Sequence, residues 1–337
     1  MILVTGATGL LGSHLLYDLI SDGKKVRALY RNKSRIQKTQ EIFSYYTDDV
    51  KSLIEKVEWV KADINDVSNL DLAMDGIDEI YHCAGVVSFS KNDHNRMMKT
   101  NVEGTANMVN LAMQRNISKF CHVSSIASFG RPGKKNETID ESAQREENER
   151  STMYSISKYL AELEVWRAIE EGLNAVIINP STIIGSGNWE SGSSALFPRI
   201  WKGLSYYTEG INGFIDVRDV VKVMKALMEK NIFKDQYILV SEHLSFKDLV
   251  GSIAISLNIK EPSIKANKLI SGFAWRMEKI RCIITGNDPV ITRESARIAL
   301  DIQFYSNKKI KDLLELDFIP IQKSVKVVSQ HFLRLSL

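Results

Sequence analysis

Hydrophobic residues in the first 180 positions alternate between short apolar runs and longer segments of helical periodicity. The apolar runs predict strands near residues 1–4, 25–30, 57–61, 79–83, 119–124 and 174–179. The periodic segments predict helices near 10–22, 34–45, 68–74, 96–115 and 152–171. Strands and helices that alternate in this way form a parallel sheet covered by helices on both faces. The sequence therefore predicts an α/β fold with a doubly wound parallel sheet.

The pattern changes after residue 180. Glycines and serines interrupt residues 185–194, a strand is predicted over 236–240, and helices are predicted over 245–257 and 292–300. We expect residues 1–180 to form one domain, which residues 214–240 rejoin. Residues 181–337 then form, for the most part, a smaller C-terminal lobe.

A glycine-rich turn joins the first predicted strand to the first predicted helix. Gly6, Gly9 and Gly12 follow the strand at a spacing of three residues. In such a turn one glycine permits tight reversal, another lets the backbone approach a pyrophosphate, and a third lets helix and strand pack closely. The pyrophosphate then lies over the N–H groups and positive dipole end of the helix. The turn therefore predicts a dinucleotide site.

A tyrosine and a lysine lie four residues apart in the helix predicted over 152–171. Tyr154 and Lys158 therefore share one face of that helix. An ammonium beside a phenol favours the phenolate and lowers the phenol pKa from about 10. A phenol tuned in this way exchanges a proton with a carbonyl or alcohol oxygen near neutral pH. The spacing also occurs on exposed helices, so the glycine-rich turn is what favours a catalytic role.

Composition excludes several classes of function. The net charge of +3 over 337 residues is close to balance, which argues against a nucleic-acid-binding surface. The three cysteines are unclustered, as is typical of reduced thiols in the cytoplasm, and the six histidines show no metal-binding spacing. We expect a cytoplasmic protein that binds no metal and no nucleic acid.

Targeting and membrane segments are not evident in the sequence. The first predicted strand begins at residue 1, and we therefore expect no leader peptide. No apolar run reaches the roughly 18 residues of a spanning helix. The segment 269–284 is amphipathic, and we expect it in the core or in a pocket wall rather than on a membrane.

These motifs together resemble the extended short-chain dehydrogenase/reductase superfamily, the NAD-dependent epimerase/dehydratase family. The segments that agree in order and spacing also include residues 63–64, 82–85, 101–105, 123–127, 179–185 and 214–220. The chain is most similar to the branch of dihydroflavonol reductases and hydroxysteroid dehydrogenases. The resemblance implies a Rossmann NAD(P)-binding domain over 1–180 and a C-terminal substrate-binding lobe.

The resemblance also implies which residues contact the cofactor. They are Gly6, Thr8, Gly9, Leu10, Leu11 and Gly12 in the first turn, Asp63 and Ile64 at the adenine, Cys83, Ala84 and Gly85 after the fourth strand, Tyr154, Lys158 and Pro180. The end of the second strand decides between the two cofactors, since a carboxylate there selects NAD and an arginine selects NADP. The strand ends at Arg31 with no acid, and a guanidinium can bind a 2′-phosphate as a fork. We therefore expect NADP(H), with NAD(H) as the alternative.

The catalytic roles follow from the same resemblance. Tyr154 is the acid/base, Lys158 also binds the nicotinamide ribose, and a serine hydroxyl polarises the substrate carbonyl. Ser124 and Ser125 compete for that role, because adjacent residues leaving a strand point in opposite directions. Gly130, which matches the glycine of the family pattern Ser-x-x-x-x-Gly, selects Ser125. Asn101 matches the active-site asparagine, an organiser of water or backbone.

Three functions are compatible with these motifs. The first is an NADP(H)-dependent reductase of a ketone or aldehyde of a bulky small molecule. The second is an NAD-dependent nucleotide-sugar epimerase or dehydratase, for which Arg199, Lys202 and Arg218 could bind a diphosphate; Phe129, where such enzymes often carry tyrosine, points away from it. The third is a non-enzymatic cofactor-sensing regulator, which usually lacks the tyrosine or lysine.

A homodimer is also implied by the resemblance. In the family, the helices that correspond to 96–115 and 152–171 pair across a two-fold axis. The apolar residues that could supply contacts are Met108, Leu111, Ala112, Leu160, Leu163 and Trp166. The alternative is that these residues face the sheet.

Overall fold

A computed structural model describes residues 1–129, 137–145, 151–285 and 292–336 of the chain. Its strands are β1 (Ile2–Thr5), β2 (Val26–Tyr30), β3 (Val57–Lys61), β4 (Glu79–His82), β5 (Lys119–Val123), β6 (Thr138–Ile139), β7 (Ala175–Pro180), β8 (Thr182–Ile184), β9 (Tyr206–Tyr207), β10 (Ile211–Asp216), β11 (Asp235–Leu239), β12 (Glu242–Ser245), β13 (Ile264–Lys265) and β14 (Phe304–Tyr305). The strands predicted before residue 180 agree with the observed ones to within one residue at each end.

The α-helices of the described residues connect these strands. They are α1 (Leu10–Ser21), α2 (Ser34–Phe43), α3 (Val50–Glu55), α4 (Val67–Ala73), α5 (His94–Met97), α6 (Gly104–Gln114), α7 (Met153–Glu170), α8 (Leu196–Trp201), α9 (Val217–Glu229), α10 (Phe246–Ser256), α11 (Lys268–Thr285), α12 (Arg293–Ile298), α13 (Lys308–Leu314) and α14 (Ile321–Ser336). Short 3₁₀ turns lie at Lys91–Asp93, Ile126–Ser128 and Ser193–Ala195. The short helix α3 was not predicted, although Asp49 caps it by accepting a hydrogen bond from the Ser52 N–H.

One predicted helix is divided in the structure. The segment 96–115 forms α5, a π-helical turn over Met98–Glu103, and α6. A π-helical turn widens the helix by one residue and often occurs at functional sites. Asn101 lies in this turn, and its contacts are described with the site below.

The main sheet of the described residues has seven strands in the order β11-β7-β5-β4-β1-β2-β3. Every neighbouring pair is parallel. The chain order reverses direction between β1 and β4, so their carboxyl ends open a crevice in which ligands of such sheets bind. The predicted doubly wound Rossmann fold is therefore confirmed.

Apolar residues cover both faces of this sheet. On one face, Leu15 of α1 and Met224 of α9 are fully buried in a cluster with β1 and β7 residues. On the other face, Met108 of α6 and Val165 of α7 are fully buried in a second cluster. Burial of this apolar surface stabilises the sheet at roughly 25 cal/mol for each Å² removed from water. The two helix layers thereby fix the positions of α1 and α7 relative to the crevice.

The C-terminal part of the chain builds a smaller sheet and its own apolar cluster. Strands β12, β10 and β8 form a three-stranded sheet in that order. Phe197 of α8, Ile253 of α10 and Val325 of α14 are buried together against it. Of the segment 214–240, only β11 lies in the main sheet, where it pairs with β7. β10 instead pairs with β8 and β12, so the expectation that the whole segment returns to the main sheet is wrong for this strand.

Helix α11 carries exposed apolar residues. Phe273 is 67% exposed and Met277 is 48% exposed, although the sequence predicts this segment in the core or a pocket wall. Among the residues that the structure describes, no helix combines the length and the apolar character required to cross a bilayer.

Candidate active site

The glycine-rich turn after β1 is packed too tightly for side chains. Gly6 adopts a φ of +64°, and a Cβ on it would lie 2.6 Å from the Cys83 carbonyl carbon. A Cβ on Gly12 would lie 2.2 Å from the Gly6 carbonyl oxygen. The Gly9 N–H donates to that same oxygen at 2.9 Å and closes the turn. Only glycine fits at positions 6 and 12, which brings the start of α1 against the ends of β1 and β4.

The start of α1 presents backbone groups toward the crevice. Gly9 is its N-terminal cap and, having no side chain, caps none of the first N–H groups of the helix. Thr8 and Leu10 are partly exposed, whereas Leu11 is buried. Leu10 packs against Gly187 of the C-terminal part, where an added Cβ would lie 2.8 Å from its Cδ1. The geometry suits an anion held by backbone N–H groups at a helix N-terminus.

Three predicted cofactor residues lie together beyond the ends of β2 and β3. The Arg31 guanidinium forms an ion pair with the Asp63 carboxylate at 3.8 Å, and both side chains are largely exposed. The other Asp63 oxygen accepts hydrogen bonds from the Asn65 backbone and side chain. Ile64 is buried, and an added Cβ on Gly104 would lie 2.5 Å from its Cδ1. This corner therefore combines an apolar wall with an accessible arginine.

The loop after β4 borders the turn on one side and Lys158 on the other. The Ala84 N–H donates to Thr5 Oγ1 at 3.1 Å, and that hydroxyl also contacts His82 Nδ1 at 2.8 Å. A Cβ built on Gly85 would lie 3.4 Å from Lys158 Nζ. The loop at 83–85 thus bridges the two predicted parts of the site, the dinucleotide turn and the acid/base helix.

Asn101 holds this loop against the helices. Its Oδ1 accepts a hydrogen bond from the Val86 N–H at 2.7 Å, and its Nδ2 donates to the Val86 carbonyl at 3.0 Å. Nδ2 also donates to Ser157 Oγ at 2.9 Å, on the helix that carries Tyr154 and Lys158. The side chain is almost completely buried. In this structure Asn101 therefore organises backbone, one of the two roles that the sequence left open.

Helix α7 places Tyr154 and Lys158 at the crevice. Thr152 caps the helix by accepting a hydrogen bond from the Ser155 N–H at 3.0 Å, so Tyr154 lies in the first turn. Lys158 is buried one turn later, and its Nζ donates to the Val123 carbonyl at 2.9 Å. The ring of Phe89 meets the Tyr154 ring edge-on, with centroids 6.0 Å apart. The two residues thus face the ends of β4 and β5.

Ser125 is the serine beside the tyrosine. Its hydroxyl lies close enough to the Tyr154 phenol to lower the phenol pKa, and it accepts a hydrogen bond from the Ala127 N–H at 3.2 Å. Ser124 is buried on the other side of the chain near Glu162. Gly130, from which the sequence argument selected Ser125, lies outside the described residues.

The expected lowering of the Tyr154 pKa does not occur in this structure. Burial raises the Tyr154 pKa above its usual value, and this effect exceeds that of the Ser125 hydrogen bond. Burial also lowers the Lys158 pKa to about 8, despite the opposing charge of Glu162. Sequence spacing revealed the pair, but the pKa depends on desolvation by the surrounding chain. At neutral pH the Tyr154 phenol is therefore protonated, and Lys158, one turn later, is mostly an ammonium.

Two residues of the site were not predicted from the sequence. Glu162 lies one turn after Lys158 on α7 and is buried. Asn179, which precedes Pro180 at the buried end of β7, donates from Nδ2 to Glu162 Oε1 at 2.5 Å. The sequence did contain a signal for Glu162. It lies four residues after Lys158, on the helix face that also holds Tyr154.

Residues 137–145 lie beside helix α7. Arg145 donates to the Ser128 carbonyl at 3.1 Å and to Ser155 Oγ at 3.1 Å. Thr138–Ile139 pairs with Phe304–Tyr305 of the C-terminal part. The polar segment 131–150 predicts a solvated loop, and the family resemblance places it beside the active site, where a substrate lid is a second possible role. Both stay predictions, because residues 131–136 and 146–150 lie outside the described ones.

Comparison with known proteins gives consistent results. The model of the NAD dependent epimerase/dehydratase family matches residues 2–239 of the chain. A protein of Synechocystis sp. provisionally named dihydroflavonol 4-reductase is 29% identical over 321 residues, which cover 92% of this chain and 88% of that protein. Sterol demethylase protein B of Methylococcus capsulatus is 28% identical over 254 residues, 74% of this chain and 72% of that protein.

A solved structure shares the fold over the full chain. The UDP-glucose 4-epimerase of Thermotoga maritima, solved with UDP-glucose, superposes with a TM-score of 0.78 at 16% identity. The match covers 100% of this chain and 99% of that one. At this identity the likeness concerns the fold alone.

Proposed function

The chain belongs to the NAD dependent epimerase/dehydratase family, and within that family we propose an NADP(H)-dependent reductase of a ketone or aldehyde. Its relatives are NAD(P)-dependent enzymes of the extended short-chain dehydrogenase/reductase type, and the chain is an enzyme of this type. The observation that carries the proposal is the placement of Tyr154 and Lys158 one turn apart at the start of α7, with the Ser125 hydroxyl next to the Tyr154 phenol.

The residues around the crevice fit a dinucleotide. Gly6 and Gly12 leave no space for a Cβ, and the start of α1 has no side-chain cap. A pyrophosphate at this helix end would accept hydrogen bonds from the backbone N–H groups of Leu10 and Leu11. The bound cofactor supplies a hydride, and the protein supplies orientation and electrostatics.

Arg31 supports NADP(H) over NAD(H). Its guanidinium is accessible at the end of β2, where a carboxylate would favour the ribose hydroxyls of NAD. Lys33 and Arg35, both exposed, add positive charge to the same turn. A 2′-phosphate could take the place of Asp63 as the partner of Arg31, because a guanidinium binds two phosphate oxygens at once.

The groups at the site suit carbonyl reduction. A tyrosine phenol is protonated at neutral pH, and a carbonyl oxygen that gains a hydride at carbon requires a proton. Ser125 would donate a hydrogen bond to the same oxygen as negative charge develops on it. The Lys158 ammonium would stabilise the phenolate that remains. Each group therefore has a role in alcohol formation, and the same groups would serve the reverse reaction.

Apolar side chains support a bulky apolar substrate. Phe89 lies edge-on to Tyr154, and Val87 in the same loop is 63% exposed. Phe129 is buried after the Ser125 turn and offers no hydroxyl. The names of two relatives, a dihydroflavonol reductase and a sterol demethylase protein, also refer to polycyclic apolar molecules.

A nucleotide-sugar epimerase or dehydratase is the second candidate. Arg199 and Lys202 are exposed at α8 and could bind a diphosphate. Arg218 is less suitable, because its Nε and Nη2 donate to the Asp216 carboxylate at 2.9 and 2.6 Å. Because this hydrogen bonding leaves Arg218 less able to bind a diphosphate, it favours the reductase over the nucleotide-sugar enzyme.

We also propose a homodimer, in which fewer of the predicted contact residues can take part. Met108, Leu111 and Ala112 are buried in the core of the protomer, so they cannot form the interface that the sequence suggested. Leu163 of α7 is 44% exposed and lies on the outer face. Sedimentation at micromolar concentration should give twice the 38.1 kDa of the chain. A single species of 38.1 kDa would contradict the dimer.

One experiment tests the main proposal. Calorimetric titration of the purified protein with NADPH and with NADH is expected to show at least about tenfold tighter binding of NADPH, roughly 1.4 kcal/mol. NADPH oxidation is then followed with a panel of aromatic, steroidal and short aliphatic ketones and aldehydes. Tightly retained NAD after purification, with no carbonyl-dependent NADPH oxidation, would favour the epimerase or dehydratase instead.

A further inference from the structure

Glu162 is a buried carboxylate directly behind the acid/base pair. It lies one helical turn after Lys158 on α7, and only 5% of its surface is exposed. Burying a carboxylate without partners is costly, so such a group requires hydrogen bonds or a counter-charge. Glu162 has both, from Asn179 and from Lys158. The proposed chemistry does not use this group directly.

Asn179 connects Glu162 to the segment that carries the catalytic serine. Its Nδ2 donates to Glu162 Oε1 at 2.5 Å, to Ser128 Oγ at 3.1 Å and to the Ser125 carbonyl at 3.3 Å. The Ser128 hydroxyl in turn donates to the Ser125 carbonyl at 2.8 Å. These bonds join α7, the end of β7 and the turn after β5. The Tyr154 and Ser125 side chains come from two of these elements, so their separation depends on this connection.

Glu162 also provides negative charge to Lys158 at the pH where Lys158 titrates, because burial raises the Glu162 pKa to about 7 and the Lys158 pKa is about 8. Burial lowers the Lys158 pKa to about 8, and the Glu162 carboxylate opposes that shift. The other titratable groups that face Lys158 are neutral near pH 7. Burial raises the pKa of the Cys83 thiol to about 12, lowers the pKa of His82 to about 3, and holds the pKa of His122 well below its usual value.

We propose that Glu162 and Asn179 are positioning residues for the reaction. Glu162 favours the ammonium form of Lys158, and the Glu162–Asn179–Ser128 connection holds the Ser125 hydroxyl next to the Tyr154 phenol. This inference rests on the roles proposed above for Tyr154, Lys158 and Ser125. Neither Glu162 nor Asn179 is assigned a contact with substrate or cofactor.

Two substitutions separate the two roles. Glu162→Gln removes the charge but keeps an amide oxygen that can accept from Asn179. Asn179→Ala removes the connection and keeps the carboxylate. Because the Asn179 hydrogen bond lowers the Glu162 pKa, this variant is compared with the wild type above pH 8, where Glu162 is ionised. Glu164→Gln is the matched control, because Glu164 lies on the same helix but pairs with Arg167 away from the site.

The first readout needs no substrate or cofactor. The Lys158 ammonium is titrated by NMR on protein with isotope-labelled lysine side chains, and its signal is assigned by its loss in Lys158→Met. Removing a nearby opposite charge should lower the titration midpoint by about one pH unit in Glu162→Gln. The midpoint is expected to be unchanged in Glu164→Gln. An unchanged midpoint in folded Glu162→Gln would overturn the electrostatic role.

The second readout is turnover of a carbonyl that the wild type reduces. Because misplacing a reacting group costs up to about 100-fold, kcat is expected to fall about 10- to 100-fold in Asn179→Ala with little change in KM. In Glu162→Gln, the alkaline limb of the kcat profile should move to lower pH together with the NMR midpoint. Wild-type kcat in Asn179→Ala would overturn the positioning role.

Ser128→Ala is the variant to use if the substitutions at 162 or 179 prevent folding. It removes one hydroxyl from the connection, and kcat is expected to fall about three- to tenfold. Wild-type kcat in Ser128→Ala would then count against the inference. If the wild type reduces no carbonyl, the proposed function fails, whereas the Lys158 midpoint in Glu162→Gln still decides the electrostatic role.

Discussion

The side chain of Asn101 binds the backbone of Val86 at both its N–H and its carbonyl, at 2.7 and 3.0 Å. This two-point contact joins the π-helical turn to the loop at 83–86, which in turn borders Lys158. A side chain at the family's active-site asparagine position therefore acts here on backbone. Several properties of the protein should depend on such buried polar contacts.

Asn101→Ala should destabilise the protein and loosen the loop after β4. The substitution leaves the buried Val86 N–H and carbonyl without these partners, at a cost of about 2 to 4 kcal/mol in the free energy of unfolding. Urea denaturation of the variant measures this loss. Asn95→Ala on the exposed side of α5 is the control and should unfold as the wild type does. Equal stability of the two variants would contradict the assigned role.

Tyr154→Phe should retain cofactor binding and lose turnover. The phenol supplies the proton in the proposed reaction, so kcat is expected to fall about 10²- to 10⁴-fold. NADPH affinity, measured by calorimetry, should change less than about twofold, since the ring remains. Tyr159→Phe on the same helix keeps its ring contact with Arg145 and should remain active. A Tyr154→Phe variant with wild-type turnover would refute the acid/base assignment.

Arg31→Glu should reverse the cofactor preference. The substitution removes a charge-assisted hydrogen bond to the 2′-phosphate, so NADPH affinity should fall by about 1.5 to 3 kcal/mol. NADH affinity should be maintained or increase, because a carboxylate there can bind ribose hydroxyls. Lys51→Glu, which makes the same charge change on exposed α3, controls for overall electrostatics. If both variants lose NADPH affinity equally, Arg31 does not bind the phosphate.

His14 should make the protein sensitive to acid. Its Nε2 donates to the Ser186 carbonyl at 2.8 Å, its Nδ1 contacts the Tyr46 hydroxyl, and burial lowers its pKa to about 4. Between pH 6.5 and 4 the unfolded chain therefore binds more protons at His14 than the folded chain does. In that window the free energy of unfolding therefore decreases as the pH is lowered. His14 contributes a decrease of about 2 kcal/mol between pH 7 and pH 5.

Urea denaturation of the wild type and His14→Gln at the two pH values measures this contribution. Glutamine does not titrate. Between pH 7 and pH 5 the variant should therefore lose about 2 kcal/mol less of its free energy of unfolding than the wild type loses. Glu162, whose raised pKa acts in the opposite direction between pH 4.5 and 7, is present in both proteins and cancels from the difference. Parallel pH dependences would show that His14 does not control the acid response.

The sequence by itself determined the main sheet, the glycine-rich turn and the placement of Tyr154 and Lys158 one turn apart on the same helix. Each of these depends on local patterns. Apolar runs specify buried parallel strands. Glycine is required where two backbone segments approach so closely that a Cβ atom would not fit between them. A spacing of four places two side chains on one helix face.

The tertiary structure decided those features that depend on contacts between residues distant in sequence. The Glu162–Asn179 contact joins α7 to β7, and β10 leaves the main sheet to pair with β8. The Tyr154 pKa is raised because the surrounding chain removes water from the phenol. Desolvation and contacts between separate elements depend on how the whole chain packs, and no local spacing encodes them.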